Sequence, residues 1–138
     1  ERRIMNRFTR QQDTTVSQVV SSQQIMEMRR ILDQVYCDEK VGDYILDVVF
    51  ATREPEKYKL NIKHQIEYGA SPRATLYLNL AARANAMLHG RAYATPQDVK
   101  EIAQDVLRHR IILTYEAEAE ELTSEDIIAQ ILSEIPVP

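Results

Sequence analysis

Apolar residues recur at helical spacing along most of the chain, which predicts a fold built from α-helices. Five stripes each fit one face of a helix, and a shorter group precedes them. The short group is Ile4, Met5 and Phe8, and the stripes are Ile25, Met28, Leu32 and Val35; Val41, Tyr44, Ile45, Val48 and Val49; Leu76, Leu80, Ala84, Met87 and Leu88; Val99, Ile102, Ala103, Val106 and Leu107; and Ile127, Ile128, Ile131, Leu132 and Ile135. No set of strands is large enough to build a sheet. The pattern predicts an all-α bundle of five or six helices.

Capping signals mark the ends of several predicted helices. Polar residues suited to the N-cap position are Ser22, Asp38, Ser71, Thr95 and Thr123. Asp98 stands three residues after Thr95 and completes a variant of the capping box. Gly90 follows the helix that begins near Ser71, at the position where a left-handed residue ends a helix. These signals place helix boundaries without reference to tertiary contacts.

Two segments lack the helical period. Residues 10–21 are rich in Gln, Thr and Ser and predict a linker, and residues 53–70 follow the helix-breaking run Arg53-Glu54-Pro55. Apolar residues alternate weakly in the second segment, which allows a short extended piece. An irregular stretch of this length inside a compact domain is uncommon and often functional. We expect residues 1–138 to form a single helical domain, cut from a longer protein.

Charge narrows the range of partners. The 138 residues contain 17 Lys and Arg against 21 Asp and Glu, a formal net charge of −4. An acidic balance argues against nucleic-acid binding, which needs a basic patch. A helical DNA-binding domain would have to use the basic N-terminal stretch of Arg2, Arg3, Arg7 and Arg10. We therefore predict no nucleic-acid partner, and no apolar run is long enough for a membrane span.

Common catalytic constellations are missing. The chain has no phosphate-binding Gly-x-x-x-x-Gly-Lys-Ser/Thr loop, so the run from Val35 to Glu39 is interpreted as a helix end followed by an N-cap rather than a magnesium motif. Cys37 is the single cysteine, which excludes an internal disulfide and predicts a small buried apolar residue.

Metal-ligand spacing is also missing. His64, His89 and His109 have no partner at zinc-binding spacing. A metalloenzyme built on the acidic residues Glu116–Glu121 is a further alternative, but carboxylates on a flexible connector are not preorganised. We predict no metal site.

One short run carries a chemical signal. Ser71 suits the N-cap, Pro72 suits the first helical position and Arg73 follows at the second. The first turn of a helix attracts anions, and an arginine fork matches phosphate oxygens. The run predicts a phosphate contact at the start of this helix. The plainer interpretation is a surface arginine on an ordinary capped helix.

Several motifs together resemble the C-terminal helical lid of the MoxR family of AAA+ ATPases. They are Gly69-Ala70-Ser71-Pro72-Arg73-Ala74, Ala81-Ala82-Arg83-Ala84, Gly90-Arg91-Ala92-Tyr93, Pro96-Gln97-Asp98-Val99, Val106-Leu107-Arg108-His109-Arg110-Ile111 and the closing Ile135-Pro136-Val137-Pro138. The similarity extends over most of the chain. The lids of magnesium-chelatase ATPase subunits are similar and remain an alternative.

The resemblance implies a function for the longer protein. It makes Arg73 the catalytic sensor 2 residue, which with Ser71 and Pro72 contacts ATP held with Mg²⁺ on a separate ATPase core. The Walker A and Walker B motifs belong to that core, so we expect no enzyme activity and no cofactor for the 138 residues alone. The implied partners are the protein's own core, neighbouring subunits of a hexamer, and remodelled proteins that often contain von Willebrand A domains. We also expect a cytoplasmic location. The alternative from another class is an independent helical interaction module in which Arg73 is incidental.

Overall fold

The computed structural model describes residues 1–2, 5 and 16–138, which group into two units, residues 1–30 and residues 31–138. The described residues contain six α-helices: α1 (Ser22–Leu32), α2 (Glu39–Ala51), α3 (Pro72–Leu88), α4 (Pro96–Leu107), α5 (Tyr115–Ala119) and α6 (Ser124–Glu134). The all-α prediction is confirmed. Of the helix predicted around Ile4, Met5 and Phe8, only Met5 is among the described residues, and residues 10–15 of the linker predicted over 10–21 lie outside them.

Capping side chains begin most of these helices. Asp38 Oδ1 accepts a 3.0 Å hydrogen bond from the Lys40 amide at the start of α2. Reciprocal capping boxes start α4, from Thr95, and α6, from Thr123. The N-cap of α1 is Ser21 and not Ser22, because Ser21 Oγ accepts from the Gln24 amide and the Gln24 side chain accepts from the Ser21 amide.

Four short strands connect the helices. β1 (Tyr36–Cys37) pairs in parallel with β3 (Tyr93–Ala94), and β2 (Ile66–Tyr68) pairs antiparallel with β4 (Ile112–Leu113). The segment between α2 and α3 contains two 3₁₀ helices, Pro55–Tyr58 and Lys63–Gln65, and then β2. Each pair is only two or three residues long, so the helices determine the architecture.

The main core lies among α2, α3, α4 and α6. The predicted stripe of α2 is confirmed, and its buried residues are Val41, Tyr44, Ile45, Val48 and Val49. Val99, Ala103 and Leu107 of α4 and Ile127, Ile128 and Ile131 of α6 are also buried, as predicted. Val35 is not part of α1, which ends at Leu32; it packs with Ala86 and Ala94 in a smaller cluster.

The predicted buried face of α3 is wrong. The structure buries Ala74, Leu78, Ala82 and Ala86, whereas Leu76, Leu80 and Leu88 are exposed by 65%, 43% and 77%. Three of the four buried residues are alanines, which let neighbouring elements approach the helix axis closely. α3 packs against α2, α4 and β3. The larger leucines therefore lie on other faces of α3.

One negative finding concerns membranes. Among the described residues, no helix combines the length and the apolar character that crossing a bilayer requires.

Candidate phosphate site

The turn before α3 is fixed to the end of α2. The Thr52 hydroxyl, which is buried, donates to the Val49 carbonyl at 2.7 Å and accepts from the Ala70 amide at 2.9 Å. Gly69 lies against the Thr52 carbonyl so closely that a Cβ at position 69 would collide with it. These two contacts join the turn before α3 to the end of α2.

The first turn of α3 has Ser71 at its N-cap position and Pro72 at its first helical position. Ser71 occupies the N-cap position with extended backbone (φ −71°, ψ 165°), as predicted, but its side chain makes no capping hydrogen bond. Pro72 at the first helical position has no amide hydrogen to satisfy. Among the described residues no side chain accepts from the first-turn amides, and the Ala74 amide donates to the Ser71 carbonyl at 2.8 Å. The positive end of this 17-residue helix therefore has no side-chain cap within the described part of the chain.

Arg73 is exposed on this first turn. Within the described residues, its guanidinium makes no hydrogen bond, ion pair or aromatic contact. The Ser71-Pro72-Arg73 run therefore brings an uncapped helix end and an unpaired arginine fork to one place. Such a fork can form two parallel hydrogen bonds to a phosphate or carboxylate group.

The other arginines of the quoted motifs all have partners. Arg83 donates to the carbonyls of Val35 and Leu32 at 2.9 and 2.7 Å, which ties α3 to the C-terminal end of α1 within residues 31–138. Arg108 pairs with Asp105 at 3.2 Å. Arg110 donates to the Val106 carbonyl, and its guanidinium lies over the ring of Tyr77, 5.1 Å from the centre.

The fifth motif arginine, Arg91, forms a two-pronged ion pair with Asp98. The two nitrogen–oxygen distances are 2.7 and 2.6 Å, and Asp98 is fully buried. Asp98 also accepts from the amide and hydroxyl of Thr95 and from Asn85 Nδ2. Hydrogen bonding from Arg91, ahead of that from Thr95 and Asn85, holds the Asp98 pKa well below its usual range. This pair gives a structural role to Arg91 and Asp98 of two of the quoted motifs.

Asp98 also belongs to a group of potential metal ligands that the sequence analysis missed. Single ligand atoms of His89, Asp98 and Glu101 lie within 4.8 Å of one another. Arg91 already contacts both carboxylate oxygens of Asp98, and Asn85 Nδ2 donates to Glu101 at 2.8 Å as well as to Asp98. Because these carboxylates are already paired with donors, the group fits an ion-pair network better than a cation site. Only the Asp98 capping box gave a sequence signal for it.

Two further basic residues lie near the start of α3, and the sequence analysis did not single them out as site residues. The Arg53 side chain packs at Gly69, and its guanidinium lies 4.5 Å from the centre of the Phe50 ring. Lys63 Nζ donates to the Arg53 carbonyl at 3.2 Å. Both come from the segment between α2 and α3. Their charges add to the positive potential that the helix end and Arg73 create.

The N-cap role predicted for Asp38 is confirmed, whereas the helix end predicted before it and the full burial predicted for Cys37 are wrong. Asp38 uses one oxygen to cap α2, and the apolar residues before it form β1 rather than a helix end. Cys37 is half-buried, and its Sγ accepts a 3.3 Å hydrogen bond from Asn79 Nδ2. Burial raises the pKa of the Cys37 thiol, so it is a weak nucleophile.

A family comparison agrees with the motif resemblance. The family model described as "AAA lid domain" matches residues 59–131, which is more than half of the chain. The chain belongs to the AAA lid domain family. The matched range includes the whole of α3, α4 and α5 and therefore the Ser71-Pro72-Arg73 run.

Curated relatives point to the MoxR group within this family. The lid is 41% identical over 122 residues to Chaperone MoxR1 of Mycobacterium tuberculosis, a match that covers 88% of this chain and 32% of that protein. It is 37% identical over 102 residues to Protein MoxR of Paracoccus denitrificans, covering 69% of this chain and 30% of that protein. The lid thus spans about a third of the length of these relatives. It is an AAA lid domain of the MoxR type.

A solved structure has the same fold. The crystal structure of an ATPase candidate from Cytophaga hutchinsonii superposes with a TM-score of 0.88 at 40% sequence identity, covering 99% of this chain and 42% of that one. The predicted MoxR lid, with its helical fold, is therefore confirmed by both sequence and structure.

Proposed function

We propose that this lid supplies Arg73 as a sensor 2 residue to ATP bound on the ATPase core of the same longer protein. The observation that carries the proposal is the free guanidinium of Arg73 on an uncapped helix end, among motif arginines that otherwise have partners within the described residues. Ser71 and Pro72 contribute by setting the backbone of that helix end. This role is what the family resemblance implies for these positions.

The chemistry of the donors fits a triphosphate. A terminal phosphate presents several anionic oxygens, and the start of α3 offers the positive end of the helix and the fork of Arg73. Bound ATP, with the Mg²⁺ that accompanies it on the core, supplies the phosphoanhydride bond that the core hydrolyses. Arg73 neutralises charge on the terminal phosphate, and the Thr52 and Gly69 contacts keep the helix end in position.

The same contact links hydrolysis to motion. Arg73 has a partner only while the terminal phosphate is present, so the lid favours one orientation on the core before hydrolysis and loses that preference afterwards. A ligand shifts a conformational equilibrium only through such a difference in affinity. In a hexameric ring, the change in lid orientation passes to the neighbouring subunit and is used to remodel partner proteins, among them proteins with von Willebrand A domains. We place this activity in the cytoplasm.

Substitution of Arg73 in the full-length protein tests the proposal. We expect Arg73→Ala to lower ATP turnover by about 100-fold or more, the loss typical of removing one preorganised donor. Arg73→Lys keeps the charge without the fork, so it should recover only part of the rate. Arg108→Ala is the matched control, because Arg108 is also an exposed arginine but pairs with Asp105. Unchanged turnover in Arg73→Ala would reject the sensor role.

The isolated lid gives a second test. Without the core's phosphate-binding loop, we expect the 138 residues to hydrolyse no ATP and to bind it very weakly. Isothermal titration calorimetry measures this directly. Tight, stoichiometric binding of ATP by the lid alone would mean that the nucleotide site is not shared with a core.

A further inference from the structure

A groove lies between α2 and α3, on a part of the lid that does not include Arg73. Its volume is about 580 Å³, and it is open to solvent. Ile45 lies at its base, and Leu46, Leu76 and Leu80 line it. Cys37 and Asn79 also contribute to the lining.

The groove exposes large apolar side chains that a monomeric surface normally covers. Leu46 is 40% exposed, and Leu76 and Leu80 are both more exposed than Leu46. Leu76 and Leu80 are exposed because α3 packs its alanine-rich face against the core, which leaves these leucines on the outer faces of the helix. A contiguous apolar patch rimmed by polar residues marks an interaction site more often than does a single exposed leucine.

Gly42 adds to the space in the groove. It lies within α2 and lines the groove. Inside a helix, glycine is less stabilising than alanine. A Cβ at position 42 would meet nothing within 4 Å. Packing against the core therefore does not require glycine there, and the missing side chain leaves room for an incoming one.

The charges around the groove are of one sign. Asp38, Glu39 and Asp43 line it, and among the described residues that line it there is no lysine or arginine. An apolar floor with an acidic rim complements a ligand that has apolar side chains on one face and basic side chains at its edges. Leucine-sized side chains at positions i, i+3 or i+4, and i+7 of a helix produce such a face.

We propose that this groove binds an amphipathic helix of a partner protein, with leucine-sized anchors between Leu46 and Leu76 and with Lys or Arg along the acidic rim. The inference goes beyond the proposed function and does not depend on it, since the groove contains neither Arg73 nor the first-turn amides of α3. It gives the lid a second binding surface, for a helical segment with leucine-sized residues on one face and basic residues at its edges.

The test uses the 138-residue chain and a fluorescein-labelled helical peptide of about 14 residues made of Leu, Ala and Lys, with leucines at i, i+3 and i+7. Fluorescence anisotropy measures its Kd. We expect the Lys peptide to bind at least about tenfold more tightly than one in which Glu replaces Lys, and at least about tenfold more tightly than one in which Ser replaces Leu. Equal binding of the three peptides would overturn the proposal.

Variants of the lid locate the binding. Leu76→Ser should weaken binding of the Lys peptide about tenfold, and Gly42→Leu should weaken it by filling the groove. Leu88→Ser is the matched control, because Leu88 is an exposed leucine of the same helix that does not line the groove.

Asp43→Lys should weaken binding, while Glu118→Lys, outside the groove, should not. Circular dichroism confirms that each variant folds. An effect of Leu88→Ser equal to that of Leu76→Ser would contradict the assignment.

Two measurements separate the proposed occupant from others. Cys37 lines the groove and is the single cysteine, so bound peptide should slow its alkylation by N-ethylmaleimide; binding without protection would place the peptide elsewhere.

Sedimentation velocity measures self-association of the lid. A dimer of the chain that Leu76→Ser abolishes would mean that a second copy of the chain occupies the groove. Binding to the isolated lid but not to the full-length protein would mean that the core covers the groove. Either of these last two results would overturn the proposal.

Discussion

The hydroxyl of Thr52 accepts a 2.9 Å hydrogen bond from the amide of Ala70, a residue 18 positions later in the chain. Thr52 follows the last turn of α2, and Ala70 directly precedes the N-cap of α3. The bond is buried, so water does not substitute for it. It joins the end of α2 to the turn just before α3, so the position of the Ser71-Pro72-Arg73 run depends on a contact with a residue outside that run.

Replacing Thr52 by valine removes this bond with little change in volume. The Ala70 amide then loses its buried partner, which costs about 1–3 kcal/mol of unfolding free energy. Because the start of α3 loses an anchor, we also expect lower ATP turnover in the full-length protein. Urea denaturation and an ATPase assay measure the two effects. Thr52→Ser keeps the hydroxyl and should restore most of both, and a valine variant as stable and active as wild type would contradict this role.

Gly69→Ala tests the close approach of the same two segments. The added Cβ would meet the carbonyl group of Thr52 and the Cγ of Arg53, so the backbone has to shift. We expect a loss of stability of about 2 kcal/mol or more, in the range of strained or overpacked positions. Gly42→Ala is the control, because its Cβ has open space and should stabilise α2 slightly. Equal effects of the two substitutions on the urea midpoint would disprove the steric explanation.

The buried face of α3 has a direct test in two leucines two residues apart. Leu78 is fully buried, and Leu78→Ala should destabilise the lid by about 3 kcal/mol, through lost transfer free energy and a cavity. Leu76 is mostly exposed, and Leu76→Ala should change stability by less than about 0.5 kcal/mol. Thermal and urea denaturation of both variants give the comparison. The reverse order of effects would show that the sequence-predicted stripe is the true core face.

This pair of leucines also shows where sequence analysis stops. Helix positions and several caps depend on interactions within a few residues, and Asp38, Thr95 and Thr123 were predicted correctly because their partners are local. α3 contains two apolar stripes with the same period, one of leucines and one rich in alanine. Hydrophobicity favours the leucines, but close approach of the neighbouring elements selects the alanines. Which of the two stripes is buried depends on tertiary packing, and the apolar period of a single helix carries no information about tertiary packing.

The candidate site also has one part that the sequence predicts and one part that it does not. The Ser71-Pro72-Arg73 run could be identified because a helix N-terminus and an arginine fork are local features. The contacts of Thr52 with Ala70 and Gly69 join residues far apart in sequence and gave no local signal. The motif arginines illustrate the point further, since Arg83 and Arg91 have structural partners in other elements. The three-dimensional structure is needed to distinguish Arg83 and Arg91 from Arg73, whose side chain has no such partner among the described residues.

The buried pair of Arg91 and Asp98 should make the lid sensitive to acid. The Asp98 pKa is lowered in the folded state relative to about 3.9 in the unfolded chain, so the folded state favours the ionised carboxylate. Its stabilisation is therefore present above about pH 4 and is lost as the pH falls toward the lower folded-state pKa. Asp98→Asn removes the charge and should cost about 3 kcal/mol at pH 7, because it leaves Arg91 without its partner.

Urea unfolding of wild type and Asp98→Asn at pH 7, 5 and 3 tests this. The difference between the two proteins should be largest at pH 7 and 5 and should narrow at pH 3, as protonation of Asp98 in the unfolded wild-type chain begins to offset its contribution. Asp105→Asn is the control, since Asp105 pairs with Arg108 on the surface and should change stability by less than about 1 kcal/mol at pH 7. A difference for Asp98→Asn that stays constant from pH 7 to pH 3 would mean that the carboxylate does not contribute through its ionised form.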